Sequence, residues 1–325
     1  MPTPLVTIAM PFFNSAATLE LAIRSLLHQS YDDFELLLCD DGSNDHGLTI
    51  ACSFDDPRII TWRDGRRCRL AARLNECIDR ARGLYLARMD ADDIAYPDRL
   101  ACQLAFLVSR PDVDLCGGAA LVFAKGGRPL WRFTPPADHS AITRSPFRGF
   151  PLWHPLWMGR IEWFRRWRYQ ETAWLAQDQE LLLRSHRASR FANLPQVLLG
   201  YRRERISLRK LLRYKLLHMR YVQNQNEQPG ARLTSWSKLE LLFVSSARFG
   251  ANCFSLLAGP EHRLGHQAAE ELSPTELAEW HKLWAQLSTW YRPPSNEIFV
   301  PASLLQRSLG NRGLNNQGLD KQGRP

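Results

Sequence analysis

Three short stretches of the sequence place acidic groups where they could do chemistry. The first is LYLARMDADD, residues 84–93, in which an apolar run leads straight into Asp90, Asp92 and Asp93. Carboxylates this close raise one another's pKa and cost stability unless positive charge sits among them. A divalent cation meets that need, because hard ions prefer oxygen ligands, and Asp90 and Asp92, two apart on an extended chain, point to the same side. The ordinary alternative is a solvated acidic turn ahead of PDRL. The second stretch is DDGS, 40–43, after the apolar FELLLC. Asp41 there stands at a strand end, rigid enough to hold a ligand, whereas Ser43 or Asn44 can simply cap a helix. The third is AQDQE, 176–180, where Asp178 opens a helix and a solvated first-turn acid is the ordinary role.

The elements that would carry these groups alternate. PLVTIAM (4–10) reads as a strand ending at Pro11, and a helix follows with Asn14 or Ser15 as N-cap and Leu19, Ala22, Ile23, Leu26 and Leu27 at helical spacing. FELLLC (34–39), RIITW (58–62) and LYLARM (84–89) read as strands, and RLNECIDRARG (73–83) as a helix closed by Gly83. Such alternation implies a parallel sheet, with ligands at the carboxyl ends of its strands. PFFN, DDGS and DADD each follow a strand, so convergence would make them one site. RLACQLAFLVSR reads as a helix, LCGGAALVFA as a strand, AQDQELLLRS as a helix and ANLPQVLLGYR (192–202) as the last strand.

From Ser207 the pattern is helical only. A basic amphipathic segment (207–226), an apolar one (239–259) and the Trp-rich PTELAEWHKLWAQLSTWYR precede a tail of disordered composition. The expected organisation is a catalytic domain over 1–206, a helical extension over 207–307 and a tail over 308–325. Arg248 and Asn252 lie near the centre of the apolar segment, and an arginine at bilayer depth costs roughly 2.5–3.5 kcal/mol. A packed or interfacial helix is therefore expected there rather than a span.

With 325 residues, 45% of them hydrophobic, the chain can bury a sizeable core. Its seven cysteines show no CxxC pair and no zinc spacing, which reads as reduced thiols. The N-terminus lacks the pattern of a signal peptide, so a cytoplasmic location is expected, with peripheral contact at the inner face of a membrane. The net charge of +9 implies an anionic partner. A nucleic-acid binder would use that charge but gives no reason for DADD, so no nucleic acid is expected. A nucleotidyltransferase, the other enzyme class considered, would carry a Gly- and Lys-rich phosphate loop, and PFFNSAAT has none.

TIAMPFFNSAATLELAIRSLLHQSYDDFELLLCDDGSND resembles the opening of family 2 glycosyltransferases of the GT-A fold. LNECIDRARGLYLARMDADDIAYPDRLACQ is similar to their central block, and HPLWM, AQDQELLLR and FANLPQVLLGYR resemble later blocks in the same order. The resemblance spans roughly residues 4–207. It implies an α/β fold of GT-A type, Rossmann-like, with three α/β/α layers around a mostly parallel sheet and an α-helical C-terminal extension. It implies an inverting transferase that takes a nucleotide-diphosphate sugar, most often a UDP-sugar, with Mg²⁺ or Mn²⁺. The acceptor would be a saccharide or lipid-linked hydroxyl in surface polysaccharide or glycolipid synthesis.

Residue by residue, Pro11, Phe13 and Asn14 match the nucleotide loop after the first strand. Asp41 matches the carboxylate that pairs with the base, and Asp40 and Ser43 share its turn. Asp90 matches the position near the ribose, Asp92 the metal ligand of the DxD motif, Asp93 its acidic neighbour and Asp178 the general base. His154 matches a recurrent His-Pro pair on the acceptor side, and Arg202 is a candidate for the diphosphate. Gln177 stands where the family usually has Glu, removing a charge beside Asp178. In YRRERIS, Glu204 or Arg205 occupies the region of a customary His. Trp153, Trp157, Trp163, Trp167 and Trp174 either shape an acceptor cleft or belong to the core. One of Arg66, Arg67, Arg69 and Arg73 could reach a phosphate.

Overall fold

Val6–Phe12 forms the central strand β1, buried at every position, because its β-branched and apolar side chains alternate between two covered faces. In this computed structural model residues 3–146, 149–173, 176–203 and 269–289 are described. After β1 come α1 (Leu19–Leu27), β2 (Phe34–Asp40), α2 (Gly47–Cys52), β3 (Ile59–Arg63), α3 (Arg69–Arg80) and β4 (Tyr85–Arg88). β3, β2, β1 and β4 lie side by side, all parallel.

The second half of the sheet is mixed. It is built from β5 (Ile94–Ala95), α4 (Arg99–Ser109), β6 (Leu115–Phe123), β7 (Pro129–Phe133), α5 (His139–Ile142), β8 (Met158–Arg160), α6 (Ile161–Trp167), α7 (Gln177–Ser185) and β9 (Phe191–Arg202). β8 runs antiparallel to both β4 and β6, and β9 runs parallel to β6 and antiparallel to β5. β10 (Ala269–Glu270) extends the β7 edge, and α8 (Pro274–Thr289) follows it.

Two cores sandwich the sheet. Ile8, Met10, Leu36 and Leu38 meet Leu19, Ile23 and Leu26 of α1 and Leu100 of α4 on one face. Ala9, Leu37 and Cys39 meet Leu74 and Ile78 of α3, Phe164 of α6 and Leu181 of α7 on the other. Each fully buried Leu or Ile contributes roughly 1.5–3 kcal/mol. The three-layer α/β/α architecture follows from this two-faced burial.

Several local expectations shift. β1 runs on through Pro11, a residue that cannot donate to a ladder. Odd-numbered residues of β1 bond towards β4, as the Met89 N–H to Ala9 carbonyl bond of 3.1 Å shows, and β4 ends at Arg88. Pro11 therefore faces the opening where no ladder partner is needed. Gly83 does not close α3, which ends at Arg80. It lies so close to β1 that a Cβ would come within 2.6 Å of the Thr7 nitrogen. Asn14 and Ser15 do not cap α1, whose N-cap is Thr18.

The described part of the C-terminal extension is β10 and α8, and the basic and apolar segments at 207–226 and 239–259 and the tail lie outside the described residues. α8 is docked on the domain: Trp280, Leu283 and Leu287 pack against Ile94, Tyr96, Leu121 and Phe123. The Trp280 indole N–H donates to the Gly127 carbonyl at 2.6 Å, and Arg24 donates to the Leu287 carbonyl at 2.8 Å. Among the described residues no helix is long and apolar enough to cross a membrane, and the six described cysteines are all free.

Candidate active site

The loops after β1, β2 and β4 are tied together by their own side chains. Asn14, at φ +50°, donates its backbone N–H to the Ser43 hydroxyl oxygen at 3.0 Å and accepts the Asn44 N–H on its side-chain oxygen at 2.9 Å. Asparagine tolerates this left-handed backbone better than most residues. Asp40 is fully buried. One of its oxygens accepts the Ser43 N–H at 2.9 Å, and the other has no hydrogen-bond partner and faces Arg63 at 3.5 Å. Thr18 donates its hydroxyl to the Ala91 carbonyl at 2.9 Å, which ties the first loop to the DADD turn. Phe13 carries the Arg67 guanidinium over its ring.

Asp41 is buried and heavily engaged. It accepts from the backbone N–H groups of Cys68 (2.7 Å) and Arg69 (3.0 Å) and from Arg73 Nε (3.0 Å). Its carboxylate thus holds the 64–69 loop, including Arg69 at φ +74°. Arg73 is fully buried among Asp41, Asp64 and Glu76, and Arg66 pairs with Asp64. These charges are met within the protein; Arg67, about half exposed, lies over the Phe13 ring with its Nε 3.6 Å from Asp41.

Carboxylate oxygens of Asp90, Asp92 and Asp93 all lie within 4.8 Å of one another. Burial pushes the Asp92 carboxyl up to about 6, with Asp90's charge adding to it, and raises Asp93 well above its usual range for the same reason, helped by Asp92. Asp93 accepts the Arg202 N–H at 2.8 Å on one oxygen, while its other oxygen is buried with no hydrogen-bond partner. An orphaned buried oxygen among mutually repelling carboxylates is what a hard cation would satisfy, so these residues fit a divalent metal. Arg202 is drawn into the same turn, donating Nε to the Asp92 carbonyl at 2.7 Å, with its guanidinium over Phe123. It braces the acidic turn.

Below the turn lies a buried layer on the face of β4 that looks towards α3, α6 and α7. Arg88 pairs with Asp90 through Nη2. His154, buried against Trp157, is bonded to the Tyr169 hydroxyl at 2.8 Å, and desolvation keeps its imidazole well below its ordinary pKa, hence neutral. Asp178, in the first turn of α7, is half-buried, and desolvation raises its carboxyl. Its side-chain partner is Gln179, at 3.3 Å. Arg88's charge acts on Asp178, and the charges of Asp90 and Asp178 both act on the buried, uncharged Tyr169 hydroxyl, so the two carboxylates border one region. Gln177, half-buried, precedes Asp178 as the first residue of α7.

Of the tryptophans, Trp157 and Trp163 belong to the core. Trp153 is partly exposed. It stacks on Phe133 at 3.9 Å and tilts against Tyr201 at 4.7 Å, near the acidic turn whose charge falls on Tyr201. Trp174 lies outside the described residues. Sequence reasoning missed Arg88, Tyr169 and Thr18. The signal for Arg88 was present: a cation inside an otherwise apolar strand, two residues before Asp90 and so on its face.

A three-layer α/β/α sheet with acidic residues at its strand ends defines a class, and the comparisons agree. Residues 7–169 match the model of Glycosyl transferase family 2, half of the chain, and the chain belongs to that family. The chain is 37% identical over 165 residues to the putative glycosyltransferase EpsE of Bacillus subtilis, covering 50% of this chain and 58% of EpsE. It is 34% identical over 104 residues to the Escherichia coli WfgD, a UDP-Glc:alpha-D-GlcNAc-diphosphoundecaprenol beta-1,3-glucosyltransferase, covering 32% of this chain and 41% of that one. The chain thus spans less than two thirds of the length of these relatives. The fold is that of GT-A enzymes: S. aureus TarS 1–349, solved with UDP-GlcNAc, superposes with a TM-score of 0.55 at 16% identity over 87% of this chain and 80% of that one. The mannosyltransferase PcManGT of Pyrobaculum calidifontis, solved with GDP-Man and Mn²⁺, gives 0.54 at 15% identity over 95% and 80%.

Proposed function

We propose that this chain is an inverting glycosyltransferase that moves a sugar from a nucleotide-diphosphate sugar, a UDP-sugar, to a hydroxyl of a saccharide or lipid-linked acceptor. The observation that carries this reading is the clustered trio Asp90, Asp92 and Asp93, the last fully buried with one oxygen unpaired, bordering the same region as Asp178. Family membership and the lipid-linked acceptor in WfgD's name support the substrate classes.

In this reading Pro11, Phe13, Asn14, Asp40, Asp41 and Ser43 form the nucleotide side, with Asp41 acting by holding the 64–69 loop around the base. Asp90 meets the ribose side. Asp92, with Asp93 beside it, would hold Mg²⁺ or Mn²⁺. Bound there, the ion would supply Lewis-acid stabilisation of the departing diphosphate. Asp178 takes the proton of the acceptor hydroxyl as that oxygen attacks the anomeric carbon from the face opposite the diphosphate, and one carboxylate suffices for inversion. Its raised pKa makes it a stronger base than a solvated carboxylate. Gln177, neutral where relatives usually carry Glu, leaves Asp178 without a charged neighbour at that position, and His154, neutral, lies beneath the acceptor side. The division into a catalytic domain over 1–206 and a helical extension over 207–307, and a peripheral position at the inner face of a membrane, belong to the same proposal.

The test is a screen of nucleotide sugars for hydrolysis and transfer with Mn²⁺ and Mg²⁺, run beside Asp92→Ala and Asp178→Ala. Asp92→Ala should lose metal-dependent nucleotide binding, and Asp178→Ala should bind donor yet fail to transfer. Full transfer in both variants would refute the site.

A further inference from the structure

β8 is antiparallel to both β4 and β6, and β9 is parallel to β6, so the C-terminal ends of β6 and β9 share a rim of the sheet with the acidic turn after β4. Near that rim Trp131 of β7, Val122 of β6 and Tyr201 of β9 form one rung, with their side chains on one face. Trp153 closes the corner: it stacks on Phe133 at 3.9 Å and lies 4.7 Å from Tyr201, ring centre to ring centre. Trp131 and Phe133 are buried, whereas Trp153 keeps exposed surface that a ligand can touch.

Arg203 follows β9 on this face. Its backbone N–H donates to the Phe123 carbonyl at 2.8 Å, and its guanidinium lies over the Trp131 ring at 5.7 Å. Nη1 is buried with no hydrogen-bond partner, and among the described residues no carboxylate pairs with the group. The preceding Arg202 does the opposite, bonding its N–H to Asp93 and its Nε to the Asp92 carbonyl. The acidic turn thus takes one arginine and leaves the next unmatched. A half-buried guanidinium on an aromatic face is costly to keep without an anion. Neutral hydroxyls need no such charge, since an amide side chain also donates to them, whereas a planar charged fork matches a carboxylate or phosphate. Position separates this corner from the nucleotide side. Phe13 and Asp41 follow β1 and β2, and in sheet order β4 and β8 stand between those strands and β6.

We propose that this corner is an acceptor subsite for a negatively charged saccharide, with a sugar ring on Trp153 and its anionic group, a carboxylate or a phosphate, on Arg203. The inference deepens the reading of the chain as a transferase to a saccharide or lipid-linked hydroxyl, and it rests on that reading. An aromatic face packs on the apolar face of a sugar ring, and the guanidinium fork orients the anion; together they hold the acceptor beside the acidic turn, across from the nucleotide. The chain's net charge of +9 draws such an acceptor in.

The experiment is calorimetric binding to the full chain in the presence of UDP and Mn²⁺, with initial rates of donor turnover measured alongside. The probes are neutral alkyl glycosides, the matching alkyl glycuronides, which add a carboxylate, and the matching alkyl diphosphate sugars, which add a diphosphate. The wild type should bind at least one charged member about 10- to 100-fold tighter than its neutral counterpart, the range for a hydrogen bond to a charged group. Which charged series it prefers tells carboxylate from phosphate. Arg203→Gln should abolish the preference while leaving the affinity for UDP with Mn²⁺ within about 2-fold, as for a separate site. Trp153→Leu should weaken charged and neutral members by the same factor, about 2- to 10-fold. Arg203→Met, which lays an apolar chain on Trp131, should melt within a few degrees of the wild type, since no side-chain hydrogen bond to the described residues is lost. The idea is overturned if the wild type shows no preference for a charged acceptor, if Arg203→Gln keeps that preference, or if Arg203→Gln weakens UDP binding, which would put Arg203 on the donor side. A much lower melting point in both Arg203 variants would make the group a structural support and overturn it equally. If the wild type neither binds UDP with Mn²⁺ nor turns over a nucleotide sugar, the transferase reading fails and this inference falls with it; intact donor turnover without a preference for anions sinks the subsite alone.

Discussion

The guanidinium of Arg73, without any exposed surface, donates to Asp41 at 3.0 Å while the same carboxylate accepts the backbone N–H groups of Cys68 and Arg69. A helix residue thus holds a strand-end carboxylate, and the carboxylate holds a loop. Arg73→Leu removes the cation shared by Asp41, Asp64 and Glu76, and breaking a buried pair from one side costs about 3–5 kcal/mol. Urea unfolding should show that loss as a lower midpoint. Nucleotide affinity should fall with it, because the 64–69 loop loses its tether.

With a divalent ion held there as proposed, the acidic turn should give a pH-dependent response to metal. Burial raises Asp92 to about 6 in the fold, above its ordinary 3.8, and Asp93 is raised well above its usual range too. For a carboxylate raised by folding, the stability bound up with its proton is fully present below the unfolded value and is lost as pH rises through the folded one. The metal-free protein should therefore lose stability between about pH 4 and pH 6 from this site. A divalent ion replaces the lost protons. At a hundred times Kd, binding contributes about 2.7 kcal/mol, which at roughly 2–4 °C per kcal/mol is a rise of about 5–10 °C in Tm. Thermal melts with and without Mn²⁺ should show that rise at pH 7.5 and little of it at pH 5, and Asp92→Asn should abolish it.

As the proposed general base, Asp178 should set the acid limb of the rate profile. Burial raises its carboxyl, so the proton that disables the base is bound at a higher pH than on a solvated Asp. kcat should fall on acidification with an apparent pKa above the ordinary carboxylate range. In Asp178→Asn the remaining rate should be lower by about 10²–10⁴ and should lose that limb. Initial rates from pH 4.5 to 8 at saturating donor decide it.

α8 is part of the folded unit. Trp280 is fully buried, and a Cβ on Gly200 of β9 would come within 2.4 Å of its ring. Trp280→Ala should cost about 3–5 kcal/mol. Gly200→Val should destabilise by the opposite route, overpacking the same contact, at roughly 1–3 kcal/mol or more. A truncation before residue 269 should expose Phe123 and Ile94 and lower solubility. Denaturation curves and light scattering test all three.

The sequence by itself determined the alternation of strands and helices, because buried parallel strands read as continuous apolar runs. It determined the three strand-end motifs too, because a carboxylate cluster after an apolar run is costly without a purpose. It did not determine what meets those carboxylates. Arg73 looks like a member of an ordinary basic segment, and Arg88 is a lone cation in an apolar strand, until the fold buries them, one under Asp41 and the other under Asp90. Arg202, a phosphate candidate by its type, turned inward to brace Asp92 and Asp93, and Gly83 served close packing against Thr7 rather than a helix end. Charge pairing and close approach depend on distances between residues far apart in the chain, and only the tertiary structure sets those. Spacing along one strand or helix fixes the direction of a side chain; what it points at is decided by the elements packed against it.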